Sequence, residues 1–166
     1  MNARPPLAPP APAAAAAPRL SFGPLHGIVG FHIARAAVTT YALFEVHIGK
    51  PLQLRKVEFS LLMLLHANTA LAPKRLARAL AMTAPNLTLL LDRMQARGLI
   101  KRERNPADGR SQHVGLTDRG RKLAIEAAAA AEPMEHKLLG HLSRAEHAML
   151  IELLDKLATP AAQERP

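Results

Sequence analysis

Asp108, Ser111 and His113 put a carboxylate, a hydroxyl and an imidazole within six residues, the three groups of a nucleophilic triad. All three fall in one short basic hairpin with no pocket of its own, which argues against that chemistry. No Gly-rich phosphate loop, nucleophile elbow or His-Glu-x-x-His zinc motif occurs elsewhere, so the chain is read as a non-enzyme. Eight histidines offer metal chemistry: His26, His32, His47, His66, His113, His136, His141 and His147. No two of them stand three or four residues apart, as ligands on one helix face do, and there is no cysteine. No metal site and no cofactor is assigned, although histidines converging from several helices remain an alternative. The absence of cysteine also excludes disulfides and thiol redox sensing within the chain.

The chemistry that the residues do favour is binding to an anion. Lys and Arg number 22 against 13 acids, a formal net charge of +9. Between Ala72 and His113 nine basic residues meet three acids, so most of the excess sits on one segment. Short polar groups precede a helix there, at Thr83, Asn86 and Thr88. Backbone N–H groups and small polar side chains at a helix start suit phosphates and base edges. Asn86 can bond adenine bidentately, or cap the helix instead. Arg110 lies on a thin hairpin, where a cation can enter a narrow A·T-rich minor groove, and Asp108 can hold it in place. Lys74, Arg75, Arg78, Arg102 and Arg104 are candidate phosphate contacts, and Arg93 is a further candidate for contact with DNA.

These groups need a scaffold, and the patterning is mainly helical. Hydrophobic residues make up 49% of the chain but aromatics only 3%, so the core must come from aliphatic side chains on helices. A first helix is expected over Leu25 to His47, with Gly49 and Pro51 where it stops. A second fits Arg55 to His66, with Val57, Leu61 and Leu64 as its stripe. A short third helix runs from Pro73 to Leu80. A fourth has Thr83 as N-cap, Pro85 in its first turn, Leu87, Leu90, Leu91 and Met94 as its core stripe, and Gly98 just past its end. The hairpin follows, its turn marked by Asn105-Pro106 and Asp108-Gly109. Thr117-Asp118 starts a fifth helix that Pro133 is expected to kink or interrupt. Ser143 and Glu146 form a capping box for the last helix, lined by Leu150, Leu153, Leu154 and Leu157. Residues 1–21, rich in Pro and Ala, read as a disordered arm ahead of one domain over 22–166. No apolar run is long enough to cross a membrane, and the expected location is cytoplasmic.

In order and spacing, Gly98-Leu99-Ile100-Lys101-Arg102, Asp108-Gly109-Arg110 and Leu116-Thr117-Asp118-Arg119-Gly120 resemble the MarR family of bacterial transcriptional regulators. Leu76-Ala77 and Asp92-Arg93-Met94 also resemble its helix-turn-helix positions, and the likeness covers roughly residues 25–158. The resemblance implies a winged helix-turn-helix with a DNA-binding lobe about 52–117. Helices about 25–48 and 118–158 would form a homodimer. The fourth helix would enter the major groove of double-stranded DNA through Thr83, Ala84, Pro85, Asn86 and Thr88. Two positions depart from the family. Arg55 stands where it often has a Ser or Thr cap. Leu89 stands where a polar or basic residue is common, and can either touch a thymine methyl or pack under the wing.

Members of the family usually release DNA when a small molecule binds between the dimer helices and the DNA lobes. His32, Arg35, Tyr41, Phe44, Phe59, Met63 and His66 are the candidate lining, or simply core and interface. The run Gly30-Phe31-His32-Ile33-Ala34-Arg35-Ala36 is similar to members answering aromatic acids or their coenzyme A thioesters. The expected function is thus a homodimeric repressor released from a palindromic operator by such a ligand. The alternatives are a charge-driven architectural DNA-binding protein, a metal-responsive repressor using histidines, and a helical adaptor for an acidic partner.

Overall fold

The computed structural model describes the backbone of residues 20–105 and 108–159, and the side chains of those residues except 104–111. The described residues divide into two compact units, one up to Arg35 and the other from Ala36 onward. In the first, a 3-10 turn at Gly23–Gly27 precedes the start of helix α1 (Val29–Phe44). Phe22 and Phe31 pack with ring centroids 5.4 Å apart. The Arg35 guanidinium lies 4.7 Å from the Phe22 ring and 5.6 Å from that of Phe31.

In the second unit α1 does not stop where Gly49 and Pro51 suggest. It passes through a π turn, Glu45–Gly49, into a last short turn, α2 (Lys50–Leu52). The N–H of Lys50 bonds the Glu45 carbonyl, and that of Leu54 bonds the Gly49 carbonyl, each five residues back. Pro51 has no N–H to give, and the wider turn carries the chain past it. Gly49 is buried, and a Cβ there would lie 2.7 Å from Glu45 Oε2. The reversal falls instead at Gln53, which takes φ 51° and ψ 45°. A non-glycine residue in this left-handed region is uncommon.

Helix α3 (Lys56–Ala67) buries Glu58, Leu61, Leu62 and Leu65, spaced i, i+3, i+4, i+7. The sequence stripe through Val57 and Leu64 is only partly buried, so the inward face is one position further round. Helix α4 (Pro73–Ala79) anchors on the fully buried Leu76. A turn with Ala81 at φ 50° leads to α5 (Ala84–Ala96), whose buried residues are the expected Leu87, Leu90, Leu91 and Met94. Gly98 ends it at φ 68°, a conformation glycine adopts at no steric cost.

Strands β1 (Ile100–Asn105) and β2 (Asp108–Leu116) pair antiparallel, with Ile100 opposite Leu116 and Arg102 opposite Val114. Leu71 adds a single bridge to Val114, bonded in both directions at 3.0 and 2.9 Å. This ties the hairpin base to the segment before α4. Helix α6 (Asp118–Leu139) is capped by Thr117, whose hydroxyl accepts from the Gly120 N–H at 3.0 Å. It continues through Pro133, so the expected interruption does not occur. The proline removes one rung of the ladder, and the other rungs of a 22-residue helix hold it together. Helix α7 (Arg144–Ala158) starts on the expected capping box. The Ser143 hydroxyl and N–H hold the Glu146 carboxyl below its ordinary pKa. Among the described residues no helix is long and apolar enough to cross a membrane.

Candidate nucleic-acid interface

Helix α5 turns its four buried residues inward and leaves its first turn exposed: Ala84, Pro85 and Asn86, with Thr88 just beyond, all face outward. Thr83 occupies the N-cap position, with extended backbone, but its hydroxyl accepts no capping bond. The expected cap is therefore absent. The side chain that would have served it is exposed beside the helix N-terminus, where the backbone favours negative charge. The Thr88 hydroxyl donates to the Ala84 carbonyl at 3.0 Å, which commits its hydrogen to the helix. Lys74, Arg75 and Arg78 are exposed on α4, the helix preceding α5. Leu89, on the outer side of α5, is 63% exposed and so is not packed beneath the hairpin.

Two of the candidate cations are engaged inside the protein. The Arg102 guanidinium pairs with Asp92, linking the first wing strand to α5. Arg93 places its Nε 3.7 Å from Glu58 Oε1. Glu58 is 2% exposed and is the centre of a network that sequence reasoning missed. Its Oε2 accepts from Arg97 at 3.0 Å and from the Arg55 backbone N–H at 3.0 Å. The second guanidinium nitrogen of Arg97 donates to the Gln53 carbonyl at 2.9 Å, within the left-handed turn. The carboxylate thus supplies one half of a capping box, holding the Arg55 N–H, while the other half is missing because the Arg55 side chain has no acceptor to offer. It also clamps the C-terminal half of α5 to α3. The signal was in the sequence: Glu58 shares the i, i+3, i+4, i+7 register of Leu61, Leu62 and Leu65.

The side chains of Arg104, Asp108 and Arg110 lie outside the described residues, as does the expected turn at 106–107, and only the backbone of the two strands is placed. The candidate ligand residues fall in both units. In the first, His32 Nε2 lies 2.9 Å from the His26 carbonyl, and Arg35 stacks on two phenylalanines. In the second, Phe44 is buried edge-on against Phe59, with centroids 5.7 Å apart, and serves the core. Met63 is half-buried and His66 exposed. Tyr41 lies under the Lys56 ammonium, 3.4 Å from the ring centroid. Among the described residues no three His, Asp or Glu side chains gather so as to hold a metal ion.

A three-helix reader, a two-stranded wing behind it and a basic, polar recognition surface define a winged helix-turn-helix protein. Residues 54–112 match the model of the MarR family. HosA, a transcriptional regulator of Escherichia coli O111:H-, is 35% identical over 82 residues, 49% of this chain and 61% of its own. The chain therefore spans less than two thirds of that relative. The structure of CouR, a transcriptional repressor bound to a 23-mer DNA duplex, is 33% identical, with a TM-score of 0.76. That match covers 86% of this chain and all of the other. Bordetella bronchiseptica BpsR, whose DNA binding is regulated by 6-hydroxynicotinic acid, is 28% identical over 80% of this chain and 94% of its own, with a TM-score of 0.72. The chain belongs to the MarR family of transcriptional regulators, and its relatives are regulators rather than enzymes.

Proposed function

We propose that this protein is a homodimeric repressor that binds a palindromic DNA operator and releases it on binding a small aromatic acid. The observation that carries the reading is the exposed first turn of α5, with Asn86 outward and Lys74, Arg75 and Arg78 on the helix before it. Polar groups at the helix tip contact bases while flanking cations hold the phosphates. CouR, similar over its whole length, was captured on a DNA duplex. A dimer is supported by α7, where Leu150, Leu153, Leu154 and Leu157 are 39 to 61% exposed along one side. An apolar stripe of that size calls for a partner, and a second copy supplies a matching one. In this reading residues about 52–117 form the DNA-binding lobe, and helices about 25–48 and 118–158 form the dimer. The aromatic acid is supported by BpsR and its 6-hydroxynicotinic acid. On this chain Tyr41, Phe59, Met63 and His66 are the residues of the second unit proposed to meet it.

The test is duplex binding at about 150 mM salt, where exposed charges more than about 8 Å apart are largely screened. DNA from upstream of the protein's own gene is compared with a scrambled duplex of equal length. A preference of roughly 1,000-fold, with two protomers per duplex, is expected of a dimeric reader. Equal affinity for the two duplexes that collapses with salt would instead describe a charge-driven binder. Asn86→Ala is expected to relax base preference at one position per half-site, by about 1–3 kcal/mol against the wrong base. Binding measured across single-base operator variants checks this: a loss uniform over all sequences would make Asn86 a phosphate contact.

A further inference from the structure

We infer that Leu89 reads a thymine methyl group, and that the operator of this protein carries a thymine at the matching position of each half-site. The inference rests on the reading of α5 as the major-groove helix. At 100° per residue Leu89 stands about 150° round the helix from the centre of the buried stripe, almost directly opposite the core. It is 63% exposed there, three residues after the outward Asn86 and four before Arg93. The turn after it is already committed: Asp92 is paired with Arg102, and Arg93 leans on Glu58. Leu89 therefore occupies the part of the helix that a groove would meet next after Asn86.

An isobutyl group makes no hydrogen bond to a phosphate or to a base edge. The one apolar feature that B-DNA presents in the major groove is the thymine C5 methyl. Isolated exposed leucines are ordinary on protein surfaces. This one stands between polar and charged neighbours on the one face that docking would cover, so binding would remove it from water. A cytosine or an unmethylated pyrimidine at that position would leave it against polar atoms with nothing apolar to touch.

The experiment starts from the full-length chain and a pool of random duplexes, from which bound sequences are enriched. Each thymine of the enriched duplex is then replaced singly by deoxyuridine, which removes the methyl and leaves base pairing unchanged. The wild-type protein is expected to lose roughly fourfold in affinity at one position per half-site, the factor that burying one methyl group gives. Leu89→Ala is expected to keep its melting temperature and to bind the thymine and deoxyuridine duplexes equally at that position. An enriched sequence with no position of this kind, or a deoxyuridine effect undiminished in Leu89→Ala, would overturn the methyl contact and leave sequence-specific binding intact. Failure to enrich any sequence would overturn sequence-specific reading itself, and the contact with it.

Discussion

Gly120→Ala is expected to lower the melting temperature by roughly 10 °C, although alanine is the better helix former. A Cβ at Gly120 would stand 1.8 Å from the Leu99 carbonyl oxygen and 2.8 Å from its carbon. Both are backbone atoms, so no side chain can swing aside. The close approach is built by three hydrogen bonds at one corner. The Thr117 N–H donates to the Leu99 carbonyl at 3.1 Å, and the Thr117 hydroxyl donates to the Gly98 carbonyl at 2.7 Å. That same hydroxyl accepts from the Gly120 N–H at 3.0 Å. Making room means lifting the start of α6 off the end of β1's lead-in, which breaks the Thr117 bonds to Leu99 and Gly98 as well. Replacing glycine by alanine within a helix gains about 1 kcal/mol. Overpacking costs about 1–3 kcal/mol and the weakened Thr117 bonds about 1 more. With no soft atom to give, the overpacking lies at or beyond the upper end of that range, and the net loss is about 3 kcal/mol. For a chain of this size each kcal/mol moves the transition by about 2–4 °C. Thermal unfolding followed by circular dichroism measures it, and an unshifted transition would mean that α6 can slide away from Leu99 freely.

Glu58→Ala is expected to destabilise the protein by about 2–3 kcal/mol and to weaken DNA binding along with it. Breaking a buried ion pair from one side costs about 3–5 kcal/mol when the remaining charge is stranded. Here the stranded groups are Arg97 and Arg93, whose side chains are 32% and 39% exposed, so water recovers part of that cost. The Arg55 N–H at the start of α3 also loses its acceptor. Glu58→Gln keeps one acceptor oxygen in place and is expected to recover about half of the loss. The functional effect follows from position: the network joins α3 to the end of α5 that carries Arg93 and Arg97. Denaturant unfolding gives the stability, and operator titration of the same variants gives the affinity. Unchanged stability in Glu58→Ala would mean that the carboxylate's desolvation already cancels its bonds.

Much of the fold was legible in local chemistry. The Leu87, Leu90, Leu91 and Met94 stripe, the helix end at Gly98, the helix start at Thr117-Asp118 and the Ser143–Glu146 box all lie in the structure where residue type and spacing place them. So do the two strands of the hairpin, although their register, Ile100 opposite Leu116, came only from the structure. Stop signals were less dependable. Gly49, Pro51 and Pro133 each suggest a break, yet α1 widens to a π turn at the first two and α6 runs through the third. Chain termination of a helix is a balance between one lost rung and the packing on either side, and only the packing decides it.

On the recognition surface, residue type and spacing were enough to place the charge on one segment, Asn86 at a helix start, and the wing strands between Leu99 and Leu116. Each of these depends on neighbours a few residues away. Tertiary structure decided which cations remain outward: Lys74, Arg75 and Arg78 do, while Arg93 and Arg102 turn to carboxylates. It also decided that Glu58 is buried, that Gly120 has no room for a side chain, and that Leu89 faces outward rather than under the wing. Those outcomes hinge on which helix face meets which partner, and residues as far apart as Glu58 and Arg97 acquire their roles only when α3 and α5 are brought together.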